Sequence, residues 1–277
     1  MLSFSNPAVA AVFSERLMKT ALALSLLLLS SSAFAALVGK DVSYKAGDTV
    51  MKGHLVYDDA VKGKRAGVLV VPEWWGANDY ARKRARMLAS EGYVALVVDM
   101  YGNGQVADNP KDAGALAGSV NKNPHVSYAR LDAARAFLDR QANVKKGHVA
   151  ALGYCFGGGV VLNAARAGMP LKAVASYHGV LASDISPKPG EIKAKIRVFH
   201  GEADPLVPPE QVDAFKTEMD NAKADYMLVA YPGVKHTFTN READSYAAQF
   251  NLPLKYDHGA DTDSWTRTLE FLKATLN

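Results

Sequence analysis

Gly153-Tyr154-Cys155-Phe156-Gly157 constrains this chain more than any other stretch, because it fits best at a sharp bend between a strand and a helix. The apolar run Val149-Ala150-Ala151-Leu152 leads into it, and a small-residue, helix-like segment runs from Gly158 to Ala167. Glycines let the backbone bend without Cβ clashes, which thrusts the middle side chain out at the top of a sheet. The helix behind it offers free N–H donors and a positive dipole end, both of which favour a thiolate. Cys155 is the only cysteine in the chain, so no intrachain disulfide or cysteine-cluster metal site is open to it. A lone cysteine is most often a small buried hydrophobe. Between paired glycines at a strand-to-helix bend, it reads instead as a nucleophile.

The N-terminus has the pattern of an export signal. Met18-Lys19-Thr20 opens a charged region, Ala21 to Leu29 is small and apolar, and Ala33-Phe34-Ala35 is an A-x-A cleavage site. The apolar run falls short of the about 20 residues that a spanning helix needs. Met1 to Leu17 is either an extended leader or precedes the true start at Met18. The expectation is a signal over residues 1–35 and a single domain over residues 36–277, 242 residues long. No stable membrane association is expected once the signal is removed, and the location expected is periplasmic or secreted.

Without the leader the formal charge falls from +4 to +3. No basic block is interleaved with aromatics, so nucleic acid is not an expected partner. The cluster Arg82-Lys83-Arg84-x-Arg86 lies where Ala81, Ala85, Leu88 and Ala89 share a helical face, so it reads as that helix's solvated side. Val42 to Lys45 and Val50 to Tyr57 read as a hairpin through Ala46-Gly47-Asp48. Gly67–Val71, Tyr93–Asp99, Ala173–Tyr177, Arg197–His200 and Tyr226–Tyr231 read as further strands. Helices are predicted after Asn78 or Asp79, around 113–120, and over 124–140 and 209–222; Asp263 would cap a final one. This alternation predicts an α/β fold, a mostly parallel central sheet flanked by helices on both faces.

Groups that act together in such a fold gather at the carboxyl ends of strands. Cys155, Glu73, Asp204 and His236 all fall there. The order nucleophile, acid, histidine, with gaps of 49 and 32 residues, is that of an α/β-hydrolase triad. His236 would take the Cys155 proton and later protonate the leaving group, while Asp204 would fix the imidazole tautomer. His178 and His200 are rival bases. His178 could instead line the pocket, and His200 is the last residue of a strand and so reads as structural; Glu202 is the fallback acid. Val70-Val71-Pro72-Glu73-Trp74-Trp75-Gly76 ends the strand that supplies a second oxyanion donor, so the backbone N–H groups of Trp74 and Phe156 are the expected oxyanion hole.

Taken together, Pro-Glu-Trp-Trp-Gly, Asp99-Met100-Tyr101-Gly102, Gly-Tyr-Cys-Phe-Gly-Gly, His-Gly-x-x-Asp and Pro-Gly-x-x-His-x-Phe resemble the dienelactone hydrolase family from about Val42 onward. The resemblance implies an α/β-hydrolase fold, a Cys155–His236–Asp204 triad, a Glu73 that holds and activates the thiol, no cofactor and no metal, and a monomer that opens cyclic lactones. The family's dienelactone-cleaving members grip a substrate carboxylate with two arginines. Asn103 and Asn240 stand near those places here, and an amide cannot imitate a guanidinium clamp. A less anionic small-molecule ester or lactone is therefore expected, in a pocket lined by Trp75, Tyr101, Asn103, His178, Phe238 and Asn240. Rival readings are a thioesterase or peptidase with the same triad, and a catalytically inactive or redox-sensing binding protein in which Cys155 reports oxidation. A metalloenzyme is disfavoured because no H-E-x-x-H or comparable ligand spacing occurs.

Export is directly testable. N-terminal sequencing of protein from the envelope fraction of the producing cell should begin at Ala36; soluble cytosolic protein that retains Met1 or Met18 would contradict it.

Overall fold

The computed structural model describes residues 37–276, so the expected signal and its cleavage site lie outside the described residues. Eight strands form one sheet: β1 (Leu37–Ala46), β2 (Thr49–Asp58), β3 (Arg65–Val71), β4 (Val94–Val97), β5 (Val144–Tyr154), β6 (Ala173–Tyr177), β7 (Lys195–Gly201) and β8 (Tyr226–Tyr231). Their spatial order is β1-β2-β4-β3-β5-β6-β7-β8. The hairpin β1–β2 adds antiparallel to β4, and every pair from β4 to β8 is parallel. Among the described residues seven helices accompany the sheet: α1 (Asp79–Ser90), α2 (Pro110–Asn121), α3 (Pro124–Asp139), α4 (Phe156–Arg166), α5 (Pro209–Asn221), α6 (Ala243–Phe250) and α7 (His258–Leu276).

The period of two along the strands divides the core. In β3, Val68 and Val70 face one layer with Ala81, Ala85 and Leu88 of α1 and Phe271 and Leu272 of α7. Leu69 and Val71 face the other, with Leu131 and Leu138 of α3, Val161 of α4 and Phe215 of α5. Helices start where short polar side chains can meet their free N–H groups. Asn78 accepts from Ala81, Asn109 from Asp112 and Asn123 from Val126.

Three expectations need correction. The last helix begins at His258, with Asp257 accepting the Ala260 N–H at 2.8 Å, so Asp263 lies inside it. Helix α6 has no counterpart in the sequence reading: its eight residues are too few for a clear apolar period. Arg84 does not belong to the solvated side of α1. It is 3 % exposed and reaches between α1 and α7, while Lys83 and Arg86 face water.

The bend after β5 sets the tightest packing. A Cβ on Gly153 would run into the Gly157 carbonyl, and one on Gly157 would meet the Val71 and Pro72 carbonyls. Both obstacles are backbone, which cannot rotate aside. Gly157→Ala should therefore destabilise the fold by about 1–3 kcal/mol or more, lowering the melting temperature by about 2–4 °C per kcal/mol. Gly118 in α2 has open space at its Cβ, so Gly118→Ala should be neutral or stabilising by about 0.4–1 kcal/mol. Calorimetry on the two variants checks the contrast; equal melting temperatures would remove the steric argument.

Candidate active site

The site is assembled at the shared carboxyl end of β3, β5, β7 and β8. Cys155 follows β5 with φ 53° and ψ −115°, a strained conformation for a residue with a side chain. Three hydrogen bonds hold it there. Its N–H meets the Tyr177 carbonyl at 3.0 Å and His178 Nδ1 at 3.2 Å, and the Gly157 N–H donates to the Pro72 carbonyl at 3.1 Å. The thiol is partly exposed.

Asp204 and His236 come from the loops after β7 and β8, which are neighbours in the sheet. Glu202 N–H donates to the Tyr231 carbonyl and Ala203 N–H to the Val234 carbonyl, both at 3.0 Å, so one loop is laid against the other. His236 Nδ1 then stands 2.6 Å from Asp204 Oδ2, while Asp204 Oδ1 accepts the Leu206 N–H at 2.9 Å. Both side chains are buried. Asp204 thereby leaves Nδ1 as the protonated nitrogen and Nε2 as the one free to accept. His236 Nε2 is buried with no hydrogen-bond partner. Burial opposes the imidazolium, but an ionised Cys155, and then the hydrogen bonds with Asp204 and Cys155, outweigh it: once Nε2 has taken the thiol proton the ring holds it, pushed up to about 10. The fallback acid Glu202 is exposed, and the rival His200 lies within β7.

Glu73 is buried in the turn that closes through its own carbonyl and the Gly76 N–H. Among the described residues, the backbone N–H groups of Trp74 and Phe156 donate to no protein acceptor, as an oxyanion hole requires. Tyr101 borders the site: its ring tilts against Phe156 and its hydroxyl donates to the Trp74 carbonyl at 2.8 Å. Burial, and then the neighbouring Cys155, push that hydroxyl's pKa up, so it stays protonated. Asp99 positions this loop by accepting the N–H groups of Tyr101, Gly102, Gly104 and Lys52 at 2.8–2.9 Å.

Five expected pocket residues have other surroundings. Trp75 is buried against Tyr246 and Phe250 of α6. Phe238 is fully buried between His178 and Tyr231. Asn103 is exposed, donates its N–H to the Val50 carbonyl and borders a surface groove with Lys52, His54 and Arg82. Asn240 is buried and donates from Nδ2 to Glu73 Oε2 at 2.9 Å, so its amide is committed to the protein. His178 is buried and uncharged, because burial first, and then His236 and Arg84, hold its pKa well below the usual histidine range. Its Nδ1 accepts from Cys155, so Nε2 carries the proton to the Thr239 hydroxyl at 2.8 Å.

That contact opens a network no motif announced. Tyr80 shares a 2.6 Å hydrogen bond with Thr239, and Arg84 donates to the Tyr80 hydroxyl, the Thr239 carbonyl and Asp261. The chain from α7 through α1 to the loop after β8 ends on the backbone of Cys155. Among the described residues no group of three or more His, Cys, Asp or Glu is placed to hold a metal ion.

A parallel sheet with an elbow, an acid and a histidine at its carboxyl end defines the α/β-hydrolase class. The chain belongs to the dienelactone hydrolase family, which it matches over residues 51–276. It is 33% identical, with a TM-score of 0.83, to a solved dienelactone hydrolase-like promiscuous phosphotriesterase, P91, from metagenomic libraries, covering 87% of this chain and all of that one. It is 27% identical to a Bradyrhizobium protein described as "Probable 2-oxo-3-(5-oxofuran-2-ylidene)propanoate lactonase", over 77% of this chain and 85% of that protein. A dienelactone hydrolase from Anabaena variabilis shares the fold at 20% identity, with a TM-score of 0.61, over 87% of this chain and 99% of that one. The protein is a hydrolase of ester or lactone type, acting on a small molecule.

Removing Arg84 would leave Asp261, the Thr239 carbonyl and Tyr80 without their cation. Arg84→Met should cost about 3–5 kcal/mol, the usual result of breaking one partner out of a buried pair. Urea unfolding measures it; an unchanged midpoint would show that the network contributes nothing.

Proposed function

We propose that this chain cleaves uncharged esters or lactones through a thioester at Cys155. The observation that carries the reading is His236, tied through Nδ1 to Asp204 and left with a buried, unpartnered Nε2 beside a strained cysteine elbow. In the first half-reaction Nε2 takes the thiol proton and the sulfur attacks the carbonyl carbon. The tetrahedral oxyanion is met by the Trp74 and Phe156 N–H groups. The C–O bond then breaks, and the departing alkoxide receives the proton from His236. Water gives its proton to Nε2, adds to the thioester, and the C–S bond breaks to release the acid and the thiol.

The preference for an uncharged substrate is supported by how the nearby polar groups are used. Asn240 is committed to Glu73, and Arg84 is committed to Asp261 and Thr239. A substrate carboxylate would forgo the charge-assisted contact worth about 1.5–3 kcal/mol, about tenfold or more in binding. An uncharged phosphotriester, the substrate class that gives the phosphotriesterase P91 its name, meets the same condition and belongs in the substrate panel. The reading includes export, on the basis of the residues 18–35 pattern.

The test is a panel of neutral aryl esters, small lactones, a carboxylate-bearing lactone and a phosphotriester, run on mature protein. Iodoacetamide should label Cys155 and abolish turnover, and His236→Ala should slow the labelling. Neutral esters or lactones should exceed the carboxylate-bearing lactone by about tenfold or more in kcat/KM. Full activity in Cys155→Ala would rule out the mechanism, and preference for the carboxylate would rule out the substrate class.

A further inference from the structure

Glu73 and Asn240 form a buried pair that the triad does not use. Asn240 is oriented by both its ends. Its Oδ1 accepts the Glu242 backbone N–H at 3.1 Å, so the opposite end must be the NH2 that donates to Glu73 Oε2 at 2.9 Å. Glu73 Oε2 is therefore an acceptor. Glu73 Oε1 is buried and has no hydrogen-bond partner.

A carboxylate would leave part of its charge on a buried oxygen, and the hydrogen-bonding groups of Asn240 and Thr237 offset the burial of the group only in part. The nearby cation does little to prevent this. Arg84 of α1 acts on Glu73 at a distance, but its hydrogen bonds go to Asp261, Thr239 and Tyr80. The other titratable groups facing Glu73 are His236 after β8, Tyr80 of α1, Tyr154 of β5 and Tyr246 of α6; the Thr237 hydroxyl is a neutral neighbour. Burial outweighs the help from Asn240, His236 and Arg84, and Glu73 is pushed up to about 7. With Oε2 taken, the proton belongs on Oε1. The loop that carries it adjoins the elbow, since the Pro72 carbonyl holds the Gly157 N–H.

We propose that Glu73 works as an uncharged hydrogen-bond donor, with Asn240 selecting Oε1 as the oxygen that carries the proton, and that this O–H donates to an oxygen of the uncharged ester or lactone. The inference rests on the hydrolase reading of Cys155, Asp204 and His236. Glu73 keeps its proton throughout, and the thiol proton goes to His236. Because the neutral form exists below its raised pKa, the donor is lost as pH rises through about 7.

Two substitutions separate this role from that of a carboxylate. In Glu73→Gln, Asn240 donates to the amide oxygen and an NH2 takes the place of the Oε1–H. Glu73→Leu has no donor. Towards a neutral aryl ester, the wild type should show a kcat/KM limb that falls above about pH 7. Glu73→Gln should lower kcat/KM by less than about tenfold and remove that limb, while Glu73→Leu should lose about a hundredfold or more. Alkylation of Cys155 by iodoacetamide should keep the wild-type rate in both. A Gln variant as impaired as the Leu variant would overturn the proposal, as would slowed alkylation in both, which would place the action of Glu73 on the thiol. Infrared difference spectra between wild type and Glu73→Gln read the proton without any substrate. A carboxylic-acid C=O band that disappears as pH rises through about 7 supports the neutral donor. A carboxylate band that persists below that range overturns it, even if the esters are cleaved; an expected acid band in a protein that cleaves no ester would fault the substrate reading alone.

Discussion

The close approach of three backbones at the end of β5 governs the rest of the structure. Gly153, Gly157 and the Val71–Pro72 carbonyls meet where no Cβ fits. That contact lets α4 begin directly at Cys155 and places the Pro72–Glu73 turn beside it. It also fixes where the free N–H groups at the start of α4 point, because Gly157 is spent on Pro72 while Phe156 is left open. The strain at Cys155 is supported by the contacts around it: the continuing ladder to Tyr177 and the ring of His178. A strained residue persists only where its surroundings over-determine it.

Polar burial is arranged in two ways around that point. Arg84, Tyr80, Thr239 and His178 form a connected set of hydrogen bonds that ties α1 and α7 to the backbone of Cys155. A connected set of this kind rigidifies its surroundings. His236 Nε2 and Glu73 Oε1, by contrast, are buried without partners. Orphaned buried atoms are costly, and these two belong to groups gathered at the sheet's carboxyl end. The site combines a stiff frame with two unsatisfied atoms.

Much of this was legible in the sequence for identifiable reasons. β6 and β8 were read to the residue because their apolar runs are bounded by polar breaks. Cys155, Asp204 and His236 come to one end of the sheet because β5, β7 and β8 run parallel, which the alternation itself implies. What escaped was anything set by side-chain reach across elements. Arg84 sits in a basic run and looked solvated, yet its long side chain spans to α7. Phe238 and Trp75 looked like pocket walls, but α6, which has no clear period, covers Trp75, and Phe238 packs between His178 and Tyr231. Asn240 looked like a substituted clamp position and is a partner of Glu73.

The sequence by itself determined the α/β alternation, the glycine-lined bend that exposes Cys155 and the order in which acid and base follow it, because these depend on local conformational freedom and on period. Only the tertiary structure decided which imidazole stands beside Asp204 and which packs behind the elbow, and which oxygen of Glu73 is left open. It also decided that Arg84 is buried. Those outcomes depend on residues 23 to 177 positions apart coming within hydrogen-bond reach. Burial and partnership, which set the charge of every group in the site, are properties of that three-dimensional proximity and have no local signature in the chain.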